Sequence, residues 1–124
     1  MARFVPEEAA AGPVLQGVGA GGFRVDGTLY RAVQLSPSRA IAWTPPALEA
    51  LSLDDLAPLL DPAPEFLLIG TGARLRRPSP ALLAAAQARG IGIDLMDSRA
   101  AARAWVIVRG EGREVAVALF PLDA

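Results

Sequence analysis

Four consecutive apolar residues, Phe66-Leu67-Leu68-Ile69, stand between Pro64 and a Gly70-Thr71-Gly72 turn. Polar and apolar side chains do not alternate here, so an extended segment must be covered on both faces, as inner strands of layered α/β folds are. The residues that follow continue such a fold. Ser79 is placed as a helix N-cap with Pro80 at the first helical position, and the helix runs through Leu82, Leu83 and Ala86 to Gly90. Arg89 lies near its C-terminus, where the helix dipole favours a cation. The next strand is expected over 90–95. Asp97 or Ser98 then opens a short helix through 100–103. The run 105–108 reads as a strand, Gly110-Glu111-Gly112 as a turn and 115–120 as the last strand. Strand–helix–strand–helix–strand closed by a hairpin predicts a mixed sheet, a parallel pair with an antiparallel edge.

The N-terminal part has a different rhythm. Residues 14–18 form a short expected strand, followed by Gly19-Ala20-Gly21-Gly22. Phe23-Arg24-Val25 alternates, Asp26-Gly27 is a strong hairpin signal, and 28–33 resumes the strand pattern. A further strand over 40–43 stops at Pro45-Pro46. These pieces predict a small antiparallel unit. Between the two regions, Ser52 and Asp55 have capping-box spacing, with Leu53, Leu56 and Leu60 recurring on one helical face until Asp61-Pro62-Ala63-Pro64 ends the helix. No repeat or long linker divides the 124 residues, so one domain with a loose leader at about 1–12 is expected.

Composition removes several kinds of chemistry. The chain contains no His and no Cys, and its twelve basic residues are all Arg. Imidazole bases and ligands, thiolates, disulfides and Schiff-base lysines are therefore unavailable. Arginine holds carboxylates or phosphates in fixed geometry but is a poor base. Twelve Arg against thirteen Asp plus Glu leave a net charge of -1, and the basic residues are dispersed. No nucleic-acid partner follows from that balance. Pro, Gly and charges break every apolar stretch before it reaches membrane-spanning length, and the acidic Glu7-Glu8 pair interrupts any signal-peptide pattern. A cytoplasmic protein without a cofactor or metal is expected; the sequence fixes no oligomeric state.

The segment 67–74, followed by Pro78-Ser79-Pro80, Arg89-Gly90-Ile91-Gly92-Ile93 and Met96-Asp97, resembles a known family. It is similar to the small bacterial and archaeal domain of unknown function whose eukaryotic relative is a mitochondrial respiratory complex I assembly factor. Gly21-Gly22-Phe23-Arg24-Val25 and Trp43 extend the resemblance over nearly the whole chain. The resemblance implies an α/β, three-layer fold: a mixed central β-sheet with helices on one side and a smaller β-layer on the other. It implies no established catalysis. The family usually continues past Met-Asp to an Arg-Thr-Tyr-Asn-like run; here Arg103 is kept and Ala104-Trp105-Val106 replaces the polar positions.

Several constellations invite a functional reading. Gly17, Gly19 and Gly22 satisfy the spacing of a dinucleotide loop, but a hairpin rather than a helix follows, so a turn between strands is the better account. Gly70, Thr71 and Gly72 follow a buried strand, where open α/β sheets bind ligands, and Arg74 adds a cationic fork. The structural alternative is a sharp turn, with Arg74 paired to a carboxylate such as Asp97. Asp94 and Asp97 lack the companions that hydrolysis or metal binding needs, and Asp97 and Ser98 are ordinary helix-capping types. Arg99 and Arg103 would share one helix face, open to an acidic partner, an anion or water. Trp43 and Trp105 are expected in the core or at its edge. No catalytic or metal-binding set emerges. The contact candidates are Gly70, Thr71, Gly72, Arg74, Asp97, Ser98 and Arg103. They serve either a non-enzymatic protein-binding or assembly-type module, or a small-molecule or anion-binding protein, an uncharacterised enzyme included, built on loop 70–74 and Asp97.

Overall fold

The computed structural model describes residues 12–124; apart from Gly12, the expected leader lies outside them. Strands β1 (Leu15–Gly19), β2 (Gly22–Val25) and β3 (Thr28–Tyr30) form a three-stranded antiparallel sheet in that order. Asp26 and Gly27 both take positive φ, 49° and 84°, as the tight turn between β2 and β3 requires. The strand expected over 28–33 divides at Arg31-Ala32, where the chain leaves this small sheet. Strand β4 (Val33–Leu35) then joins a second sheet and pairs antiparallel with β5 (Ala40–Ala42).

The second sheet has five strands in the order β5-β4-β8-β6-β7, with β6 at Phe66–Gly70, β7 at Ile93–Met96 and β8 at Val115–Leu119. β6 pairs parallel with both β7 and β8, and β8 pairs antiparallel with β4. The mixed sheet is as expected, but its closing piece is not a hairpin. β8 inserts between β4 and β6 and so becomes the centre of the sheet, with all five of its residues buried.

Helix α1 (Pro80–Ala88) begins as its sequence dictates: the Ser79 hydroxyl accepts a hydrogen bond from the Leu82 amide at 3.3 Å, and Pro80 occupies the first turn. Residues Leu53–Leu59 form a 3-10 helix. Leu53, Leu56 and Leu59 recur every third residue, the period of that tighter helix, and Pro58 disfavours an α-helical continuation. The Asp55 carboxylate accepts from the Ser52 amide at 2.9 Å, the reach-back half of the capping box.

The main correction concerns residues 100–112. Helix α2 spans Ser98–Gly110 and takes in the expected strand 105–108. Val106, Ile107 and Val108 favour strands, but that preference spans only about 1 kcal/mol and is outweighed by burial. At helical spacing Ala101, Ala102 and Trp105 all face the core, and a parallel crossover from β7 to β8 needs a helix. The turn around Gly112 (φ 82°) therefore ends a helix and does not close a hairpin.

Alternate residues of the central strands serve two cores. Leu67, Ile69, Ala116, Ala118 and Phe120 face the 3-10 helix and α1. Leu68, Val115, Val117 and Leu119 face the small sheet and α2, which lie side by side on the other surface. Both tryptophans belong to these layers. Trp105 is buried and donates to the Val115 carbonyl at 3.3 Å; Trp43 donates to the Leu119 carbonyl at 3.2 Å and stands edge-on to Phe120, with ring centroids 5.4 Å apart.

Candidate functional site

The C-terminal ends of β6 and β7 bring together five of the seven candidate residues. Gly70 closes β6 against the start of α2. A Cβ there would lie 2.8 Å from the Ser98 Cα and 2.9 Å from the Ser98 hydroxyl, so only glycine lets helix and strand approach this closely. Ser98 is fully buried. Its hydroxyl donates to the Phe120 carbonyl at 2.8 Å and accepts from the Gly72 amide at 2.9 Å. Its own amide donates to the Gly72 carbonyl at 2.8 Å, and the Phe120 amide to the Gly70 carbonyl at 2.9 Å.

Thr71, also fully buried, is fixed in the same way. Its amide donates to the Met96 carbonyl at 2.8 Å; its hydroxyl donates to the Arg74 carbonyl at 2.8 Å and accepts from the Arg76 amide at 3.0 Å. Asp97 caps α2, accepting from the Ala100 amide at 2.9 Å. Buried polar groups left without partners cost about 1–3 kcal/mol each, and here the chain supplies those partners itself. The amides of Thr71 and Gly72, which would face a bound anion, point to other parts of the protein.

Arg74 and Arg103 lie apart from this cluster. Arg74 is exposed and forms no ion pair among the described residues, so the expected Arg74–Asp97 pair is absent; the Asp97 carboxylate is turned to its helix. Asp94 is exposed on β7. Gly17 and Gly19 lie in β1 and Gly22 opens β2, so the three flank a turn between strands. Among the described residues no group of three or more His, Cys, Asp or Glu is placed to hold a metal ion.

A second surface was legible in the sequence only as the shared helix face of Arg99 and Arg103, not as the groove they line. Because 105–108 is helical, Arg99, Arg103 and Val106 fall on one side of α2, and with Ile107 they form one wall of a groove. Its other wall is β1, from Leu15 to Val18. Val106 and Ile107 remain 43% and 55% exposed, and Arg99 and Arg103 make no ion pair among the described residues. The spacing of 99, 103 and 106 carried the signal, and reading 105–108 as a strand concealed it.

Residues 15–120 match the profile of the family described as proteins of unknown function (DUF498/DUF598). The chain belongs to this family. The match takes in both sheets and both α-helices. Among relatives, NADH dehydrogenase (ubiquinone) 1 alpha subcomplex assembly factor 3 of Danio rerio is 30% identical over 124 residues, 98% of this chain and 71% of that protein. An uncharacterised protein of Rhodobacter capsulatus is 33% identical over 125 residues, 98% of this chain and 94% of the relative. A crystal structure from Bordetella parapertussis superposes with a TM-score of 0.80 at 32% identity, covering 90% of this chain and 97% of that one. The family is thus one of unknown function related to an assembly factor. Among the described residues no helix is long and apolar enough to cross a membrane.

Proposed function

We propose that this chain is a non-enzymatic protein-binding module of the assembly type. The observation carrying this reading is its similarity, over 98% of its length, to a protein named as an assembly factor. The described surface is compatible with it: the polar atoms of the strand-end cluster are engaged with one another, while the α2 face presents apolar and cationic groups without partners. Gly70, Thr71, Gly72, Asp97 and Ser98 accordingly hold β6, β8 and α2 in register, and Arg103 is the candidate that meets a partner. The proposal includes a cytoplasmic location, with which a sequence free of Cys is compatible.

Affinity capture of the full chain at its natural abundance, under mild conditions, tests the proposal. A reproducible, stoichiometric protein partner is the expected result; recovery of the chain alone would refute it. Should a metabolite instead raise the melting temperature selectively, the anion-binding reading of loop 70–74 and Asp97 would take its place.

A further inference from the structure

The groove between β1 and α2 combines apolar and cationic side chains on one exposed surface. It encloses about 300 Å³, enough for one large apolar side chain but at the lower end for a metabolite site. Gly17 contributes only backbone to its wall, and Val18 and Ala102 give it an apolar base continuous with the core beneath. Among the described residues no Asp or Glu lines it, while Arg99 and Arg103 stand four residues apart along its rim. Two guanidinium groups one helical turn apart, neither of them in an ion pair among the described residues, form a field that an anionic group beside an apolar one would complement.

The extent of the surface indicates what kind of ligand fits. Arg99 also lines an adjoining cleft of about 260 Å³, bounded by Gly21, Gly22 and Leu122. There Arg31 is already held by Asp123 through two bonds of 2.9 and 3.1 Å, which leaves Arg99 as the cation between two depressions. A compact metabolite fills one depression; an extended chain passes over Arg99 and occupies both. We infer that the β1–α2 groove binds an extended segment of a partner protein, placing an apolar side chain against Val106 and Ile107 and acidic side chains on Arg99 and Arg103. This rests on the protein-binding reading above and gives it a location and a partner chemistry.

The test uses the intact chain and a display library of short randomised peptides. Enriched peptides are expected to carry Asp or Glu within a few residues of a large apolar residue. Binding should weaken by about tenfold or more in the Arg99→Glu, Arg103→Glu double variant and in Ile107→Ser, and fall as salt is raised. All three substituted side chains are exposed, and an unchanged melting temperature verifies the fold. Arg74→Ala serves as the cationic control and should bind as wild type. Enrichment without acidic residues, binding indifferent to the substitutions, equal competition by inorganic phosphate or citrate alone, or no enrichment at all would each overturn the inference. So would self-association of the wild type that the double variant abolishes, since the groove would then hold a second copy. If affinity capture still recovers a partner with the double variant, only the groove assignment fails. Failure of capture with the wild type removes the broader reading.

Discussion

Two of the candidate side chains, Arg74 and Ser98, illustrate how poorly charge predicts structural weight. Arg74 carries a full charge beside a conspicuous turn, yet it is exposed and unpaired among the described residues. Ser98 is neutral and small, but two backbone segments depend on its one hydroxyl. Surface substitutions away from caps and networks change stability by less than about 0.5 kcal/mol, and Arg74→Ala is expected in that range. Ser98→Ala leaves the Gly72 amide and the Phe120 carbonyl without that partner in a buried place, so a loss of about 1–3 kcal/mol is expected. Urea unfolding of both variants beside the wild type checks the contrast. A costly Arg74→Ala together with a neutral Ser98→Ala would refute this account of the turn.

At the scale of elements, α2 depends on its inward face. Ala101, Ala102 and Trp105 are all buried, and the indole fills the space between the helix and β8 while donating to Val115. Truncating a buried aromatic ring to alanine costs about 3–5 kcal/mol, and Trp105→Ala should lie in that range by urea unfolding. A cost below about 1 kcal/mol would mean that α2 is not seated as described. A second element-level contact joins the beginnings of β6 and β8. Glu65 accepts from the Glu114 amide and from Arg113, each at 3.1 Å, and the Glu65 amide donates to the Glu114 carbonyl at 2.7 Å. The Glu114 amide foremost, then the Arg113 guanidinium, hold the Glu65 carboxyl below its ordinary pKa. A depressed folded-state pKa stabilises the protein above the unfolded value, and that contribution disappears as pH falls through the folded one. Glu65→Gln should therefore lie below wild type near neutrality, with the difference shrinking on acidification through the carboxylate range. A constant difference in unfolding free energy across that range would contradict the expectation.

For the whole molecule, the position of β8 matters most. The last strand of the chain pairs with β4 from the N-terminal half and with β6 from the C-terminal half, so neither half completes the large sheet alone. Both apolar clusters also draw on residues from each half of the chain. This arrangement predicts that the expected single domain unfolds in one cooperative transition, with coincident melting by far-ultraviolet and near-ultraviolet circular dichroism. Two separated transitions would show that the small sheet is an independent unit.

The sequence by itself determined those features whose physical cause is local. The Asp26-Gly27 turn, the Ser79-Pro80 helix start, the Ser52–Asp55 cap and the doubly covered strand at 66–70 are each set by residues a few positions apart. The limits on chemistry were also legible, since a chain without His, Cys or Lys lacks those groups in any fold. Tertiary structure decided the rest. A run such as 105–108 is compatible with either strand or helix, and only the burial of Ala101, Ala102 and Trp105 against the sheet selects the helix. Gln34 lies just past the strand expected over 28–33, yet it is a buried strand residue and donates to the Asp55 carbonyl at 2.8 Å, a partner 21 positions away. The same holds for Ser98, which reads as a helix start and becomes the buried bridge between Gly72 and Phe120. The groove beside α2 was hidden for a related reason: its two walls come from residues near 16 and near 103, and packing alone brings them together. Caps, turns and periodicity act over a few residues, whereas the choice of strand partner and the position of an exposed face depend on what the remainder of the chain leaves to be covered.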